Sequence, residues 1–321
     1  MDDNEQLIKE INLLRKQKHA IIMAHYYQTA DIQAIADFIG DSLALAQKAK
    51  TTDAQIIVLC GVHFMGETAK IICPDKKVLV PDINAGCSLA DSCKAEDLRR
   101  FKAEHPDHTV ISYVNTTAEV KALTDVCVTS SNARKIVETF PKDAKLIFGP
   151  DRNLGNYINS VTGRQMLLWH GACHVHERFS VERLVQLKKQ YPAAKVLAHP
   201  ECKAAVLTLA DVIGSTAALL EYAKKSDENE FLVATEAGIL FEMQRACPKK
   251  TFIPVPPEIS ETFDENGNLI PCACNECNYM RLNTMQKLYD CLKNETNEIV
   301  VDPEIARKAI GCIDRMLELS K

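Results

Sequence analysis

The chain lacks most of the features that would assign it to a common class at once. It has no apolar run long enough to span a membrane, so no membrane partner is expected. Its first residues, 1–18, are polar and charged, unlike a secretory leader, and the expected compartment is the cytoplasm. A net charge of −5 gives no electrostatic case for binding nucleic acid. Neither GxxxxGK[ST] nor GxGxxG occurs, so no nucleotide cofactor is expected. There is no second CxxC to complete a structural zinc site and no tight four-cysteine run of the ferredoxin kind.

Cysteine itself is abundant: thirteen in 321 residues. In a reducing compartment such clustering points to metal or redox chemistry rather than a disulfide framework. Cys60, Cys127 and Cys291 lie in apolar surroundings and read as small core residues. Cys87, Cys173 and Cys277 fall at matching places in three rough internal repeats. One thiolate from each third of the chain can hold a four-iron cluster and leave one iron open. That suits Lewis-acid catalysis better than electron transfer.

The repeats share an order of elements. HAIIMAHYYQTADIQAIADFIGDSLALAQKA, TVISYVNTTAEVKALTDVCVTSSNARKIVETF and AKVLAHPECKAAVLTLADVIGSTAALLEYA each read as strand, polar residue, helix, short strand, hydroxyl, helix. The second passage's first strand is expected to end at Asn115 and the third's at His199. AQIIVLCGVHFMGETAKII, AKLIFGPDRNLGNYI and EFLVATEAGILFEMQRA then add a strand, a loop and a helix to each third. Short apolar strands alternating with helices imply parallel sheets covered on both faces, with ligands at the carboxyl ends of the strands. The expectation is an α/β fold of three pseudo-threefold-related α/β/α sandwiches with short parallel sheets around a central active site. Their spans would be 1–104, 105–190 and 191–302, with an amphipathic closing helix, 303–321, packed on the first.

Around the strand ends sit the groups that carry chemistry. His25, His176 and His199 read as strand-to-loop histidines at equivalent junctions, with Glu201 two residues beyond His199. Three such residues favour acid–base work. Tyr27, Tyr113 and Asn115 lie at the same level. Ser42, Ser130 and the pair Ser215–Thr216 read as helix starts, hence N-caps. Three helix starts facing one cavity would also hold a small polyanion. The run PCACNECNYM contains Cys274-x-x-Cys277, with Cys272 just before it, and the choice among these three thiols stays open on spacing alone.

Motifs spread over nearly the whole chain resemble the quinolinate synthase family in family order. They are MAHYYQ (23–28), DFIGDSL (37–43), FMGETAKI (64–71), YVNTTAEVKA (113–122), VTSSNA (128–133), FGPDRNLG (148–155), CHVHERF (173–179), HPEC (199–202), GST (214–216), ATE (234–236) and CNYMRLNT (277–284). The resemblance implies a [4Fe–4S] cluster with Cys87, Cys173 and Cys277 as its ligands and the fourth iron open. It implies that His25, Tyr27, Ser42, Tyr113, Asn115, Ser130, His176, His199, Glu201, Ser215 and Thr216 line the site. Of these, Tyr27, Tyr113, His176, His199 and Glu201 are the expected catalytic groups. The implied reaction condenses iminoaspartate with dihydroxyacetone phosphate to give quinolinate, phosphate and two waters, on the de novo route to NAD. The enzyme that makes iminoaspartate is then a functional partner. A disulfide between Cys274 and Cys277, removing a ligand under oxidation, is a further expectation. A different cluster-dependent hydro-lyase, or a metal or redox sensor centred on CACNEC, is the alternative.

Overall fold

A computed structural model describes residues 3–258 and 275–321. The chain divides into two compact units, Met1–Gly171 with Asn278–Lys321, and Ala172–Cys277. The described residues build three four-stranded sheets, parallel throughout. The first holds β1 (Ala20–His25), β2 (Phe38–Gly40), β3 (Ile56–Cys60) and β4 (Lys77–Leu79), in spatial order β2-β1-β3-β4. The second holds β5 (Thr109–Tyr113), β6 (Val126–Val128), β7 (Leu146–Gly149) and β8 (Leu167–Leu168), in order β6-β5-β7-β8. The third holds β9 (Lys195–Ala198), β10 (Val212–Ile213), β11 (Glu230–Ala234) and β12 (Thr251–Pro254), in order β10-β9-β11-β12. The same order recurs three times, so the likeness of the three passages is architectural. Two strand ends fall one or two residues short of the expected limits: β5 stops at Tyr113, not Asn115, and β9 at Ala198, not His199.

One hydrogen-bonded device repeats with the sheets. Asp37, Asp125 and Asp211 each stand just before the second strand of their sheet. Each carboxylate accepts from a backbone N–H in the first strand: Ile22 at 2.8 Å, Val110 at 2.7 Å and Val196 at 2.8 Å. Each aspartate's own N–H returns a bond to the carbonyl of that same residue, at 2.8, 3.0 and 2.9 Å. A base from the last turn of the helix before the first strand completes the clamp. Arg15, Lys102 and Lys188 each donate at 3.0 Å to the carbonyl two residues before the aspartate, those of Ile35, Leu123 and Leu209. The second strand is only two or three residues long. So short a strand has few ladder bonds, and the clamp fixes the register those bonds cannot.

Packing follows the pleat. On one face of the first sheet Ile22, Ala24, Val58 and Cys60 meet Ile11 of the N-terminal helix and Met285, Leu288, Cys291 and Leu292 of the helix Met285–Asn294. These strand residues alternate along β1 and β3, as one face of a period-two element must. Helices Ser42–Thr51 and His63–Ile72 also pack on this sheet. In the third sheet Val196, Ala198, Leu232 and Ala234 form a core with Phe179, Leu184 and Val206. The closing helix Pro303–Leu319, capped by Asp302, lies against helix Ala118–Lys121 and β6 as well as against helix His63–Ile72. Its Cys312 Sγ sits 3.1 Å from Cys127 Sγ of β6, both buried. Among the described residues no helix is long and apolar enough to cross a membrane.

Glu295 ends helix Met285–Asn294 in the left-handed region, at φ 53°, which is unfavourable for a residue with a Cβ. Its two carboxylate oxygens are held by Lys18 and Lys77, both at 2.6 Å. Hydrogen bonds from those ammonium groups bring its carboxyl down to about 2. The folded pKa lies below the unfolded one, so this contribution to stability is present above the ordinary glutamate pKa and lost as pH falls toward 2.

Two outcomes follow. Asp125→Ala leaves a buried strand N–H without its acceptor, and a urea titration should show a loss of about 1–3 kcal/mol. Glu295→Gln should lower the melting temperature at neutral pH, and the gap to wild type should close between pH 4.5 and pH 2. A gap that widens on acidification would contradict the ion-pair origin of the shift.

Candidate active site

The clamps set the site residues in equivalent positions. Three residues beyond the clamped Ile22, Val110 and Val196 come His25, Tyr113 and His199; two further on come Tyr27, Asn115 and Glu201. Five residues beyond Asp37, Asp125 and Asp211 come Ser42, Ser130 and Thr216. Nine of the expected site residues therefore occupy three positions used three times, at the carboxyl ends of the first and second strands of each sheet.

Two expectations need correction. His176 is not at a strand end; it opens the 3-10 turn His176–Arg178, and the residue equivalent to His25 and His199 is Tyr113. Nor are the hydroxyls all caps. Ser215 does cap its helix, its oxygen accepting from Ala218 N–H at 3.3 Å. Ser42 is displaced by Asp41, whose carboxylate accepts from Ala44 N–H at 3.0 Å. Ser130 lies before Asn132, the cap residue of Ala133–Glu138, and Asn132 turns its side-chain oxygen back to Thr129 N–H at 2.6 Å. An aspartate beside a serine competes well for the cap, and Ser130 stands two residues before the cap position of its helix. This leaves the hydroxyls of Ser42 and Ser130 outside that role.

Within Met1–Gly171 and Asn278–Lys321, His25 is buried and its Nδ1 accepts from Tyr27 N–H at 3.2 Å. The Tyr27 ring meets the imidazole edge-on, with centroids 4.5 Å apart. Arg281 donates to Tyr27 O at 2.8 Å, and Gln28 to Met280 Sδ at 3.2 Å, so the segment after Cys277 holds this loop. Tyr113 is buried at the end of β5. Asn115 Oδ1 is buried without a partner among the described residues, an acceptor that a ligand's O–H or N–H would satisfy.

The loop that carries Asn115 is braced by a residue the sequence reading gave no role. Lys121 is fully buried, donates to Val114 O at 2.9 Å and to Thr116 O, and lies 5.4 Å from the centre of the Phe64 ring. Burial depresses its pKa. Nearby Glu67 accepts from Ala118 N–H at 3.1 Å, and burial raises its carboxyl although Lys121 opposes that. A buried lysine in YVNTTAEVKA is not marked by any periodicity, because it points along its own loop rather than at a helix face.

Within Ala172–Cys277 the polar groups form one chain. Glu201 Oε2 lies 3.0 Å from His176 Nδ1, and both residues are buried. The same Nδ1 is 3.2 Å from Cys173 Sγ. His176 Nε2 meets Thr235 Oγ1 at 3.0 Å. The His199 ring lies 4.7 Å from that of His176, and its Nδ1 accepts from Glu201 N–H at 3.3 Å. This repeats the His25–Tyr27 bond. In both histidines an accepting Nδ1 puts the neutral ring's proton on Nε2. Cys173, His176 and Glu201 offer ligand atoms all within 4.8 Å of one another, a group able to hold a metal ion. Thr235 is a member that went unassigned; its only sequence signal was its place in ATE after a buried strand.

The cysteines separate by exposure. Of the eleven described, eight are buried and three are partly exposed: Cys87, Cys173 and Cys277. Each of the three follows the last strand of its sheet, β4, β8 and β12. Cys272 and Cys274 lie outside the described residues, and so does one partner of the expected Cys274–Cys277 disulfide.

Parallel sheets with buried His, Glu and Tyr at the strand ends define an α/β enzyme. The family model described as quinolinate synthetase A protein matches residues 9–318, and the chain belongs to that family. It is 55% identical over 315 residues to the quinolinate synthase of Chloroherpeton thalassium, covering 98% of this chain and 95% of that one. It is 54% identical to those of Microcystis aeruginosa, over 98% of this chain and 96% of the relative, and of Synechocystis sp., over 98% and 95%.

Lys121→Met removes the donors that satisfy two buried carbonyls. It should cost about 1–3 kcal/mol in a urea titration, with Lys121→Arg no better, because the fork does not fit a site built for a point charge.

Proposed function

We propose that the chain catalyses the condensation of iminoaspartate with dihydroxyacetone phosphate to quinolinate, with release of phosphate and two waters, on the de novo route to NAD. The observation that carries the reading is the separation of the cysteines: eight buried in cores, and three partly exposed thiols, one after each sheet, in a chain of this family. Three partly exposed cysteines, one of them (Cys173) beside buried His176 and Glu201, are a donor set that suits an iron–sulfur cluster with an incomplete set of protein ligands. Cys87, Cys173 and Cys277 would hold a [4Fe–4S] cluster. When bound, the cluster supplies an iron without a protein ligand, a Lewis acid for an oxygen that leaves as water, with no redox change.

The chain's own residues account for the proton traffic. Glu201 is the carboxylate of the buried chain and accepts from His176 Nδ1; Thr235 donates to His176 Nε2, which fixes that ring's orientation. A carboxylate so held takes a proton to form the enamine or enediol-like nucleophile and returns it to a leaving oxygen. His25 and His199 carry their proton on Nε2 and act as donors to substrate oxygens rather than as bases. Tyr27 and Tyr113 supply phenol protons, and Ser42, Asn115, Ser130, Ser215 and Thr216 bind carboxylate and phosphate. The reading carries with it a reduced, cytoplasmic setting and an upstream enzyme that delivers iminoaspartate.

Quinolinate formation from dihydroxyacetone phosphate and enzymatically generated iminoaspartate, assayed without oxygen on iron- and sulfide-reconstituted protein, tests this. Wild type should hold about four irons per chain and turn over. Glu201→Gln should keep its iron and lose roughly 10²–10⁴ in rate. Full activity in metal-free protein would sink the cluster; a cluster unaffected by Cys277→Ala would move the third ligand to Cys272 or Cys274.

A further inference from the structure

We propose that Glu236 is the positioning residue for Cys277, setting the main chain of the third cysteine before any cluster binds. The inference rests on the reading of Cys277 as a ligand. Glu236 directly follows Thr235 beyond the end of β11, and it is fully buried. Its Oε1 accepts from Cys277 N–H at 3.0 Å, across 41 residues of sequence. Its Oε2 accepts from Gly238 N–H at 2.6 Å, at the start of helix Ile239–Ala246. A third bond runs the other way: Ala237 N–H donates to Asn275 O at 3.0 Å. The segment 275–277 is thus pinned to the turn 235–238 by bonds in both directions, while the cysteine remains partly exposed.

The chemistry calls for a carboxylate. Two backbone N–H donors face Glu236, one per oxygen, so an acceptor is needed on each side. An amide of the same shape would set its NH₂ against one of them. A fully buried carboxylate is costly unless its oxygens are hydrogen-bonded, and here both are; the start of a helix beside it adds favourable field. Thr235 and Glu236 divide the work between adjacent residues: one fixes His176, the other fixes Cys277.

Wild type, Glu236→Ala, Glu236→Gln and Cys277→Ala are reconstituted with iron and sulfide without oxygen. Iron per chain, the paramagnetic signal of the reduced cluster, and the rate of iron loss to a ferrous-selective phenanthroline are then recorded. Circular dichroism melts of the metal-free proteins run alongside. Glu236→Ala should release iron roughly 10–100-fold faster than wild type with a shifted cluster signal and a lowered metal-free melt, because two N–H groups lose their acceptor, and Glu236→Gln should fall between them in iron loss with a metal-free melt closer to wild type. Wild-type iron loss and an unchanged signal in both Glu236 variants, with the cluster gone in Cys277→Ala, would overturn the positioning role alone. A full cluster in Cys277→Ala would instead remove the ligand assignment, and the proposal with it. Should Glu236→Ala not fold, the Gln variant decides by the same two readouts.

Discussion

The reciprocal bond between an aspartate and the strand beside it is the constraint on which the rest of this molecule depends. Each sheet's second strand is too short to set its own register. Asp37, Asp125 and Asp211 set it instead, through two hydrogen bonds each to a single residue of the first strand. Once Ile22, Val110 and Val196 are fixed against those aspartates, the residues three and five places further on are fixed as well. A slip of one residue would turn His25, Tyr113 and His199 to the opposite face of their sheets. The site is therefore specified by groups that take no part in its chemistry.

Most of the fold could be read from the sequence, because its signals are local. Apolar runs of four to six residues, turn residues at their ends, and apolar-periodic stretches between them mark the strands and helices without reference to anything distant. The triplication was legible for the same reason: three passages repeat the same local order. The aspartates themselves lay in plain view, in IADFIG, LTDVCV and LADVIG, yet an aspartate before a short strand reads as an ordinary turn residue. Only the return bond to a strand fifteen residues earlier reveals its work.

The site was legible where residue type alone decides, and not where partners decide. Cysteine, histidine and glutamate at strand ends attract attention by their chemistry. Ser42 and Ser130 drew the wrong structural role because position decides capping: Asp41 caps the helix beside Ser42, and Asn132, not Ser130, stands at the start of Ala133–Glu138, its side chain turned back to Thr129 N–H. His176 was grouped with His25 and His199 by residue type, whereas position groups Tyr113 with them. Lys121, Thr235 and Glu236 passed without a role because each acts on backbone or on another side chain, at separations of five, 59 and 41 residues. A lysine whose pKa is depressed by complete burial has no sequence signature; only the carbonyls it satisfies explain its presence.

The two histidines with an accepting Nδ1 show how far backbone geometry reaches into chemistry. A residue placed two positions after a strand-end histidine must turn its N–H back toward the ring, as Tyr27 and Glu201 both do. That single bond selects the tautomer, and the tautomer decides between a proton donor and a proton acceptor at the far edge of the ring. His176 sits on a turn instead, and its two nitrogens are engaged by a carboxylate and a hydroxyl. The division of labour among three histidines of one residue type thus follows from where each stands relative to a strand end. Two are held alike by the repeat, Nδ1 turned to a backbone N–H, and the third, outside the repeated positions, is held by Glu201 and Thr235 instead.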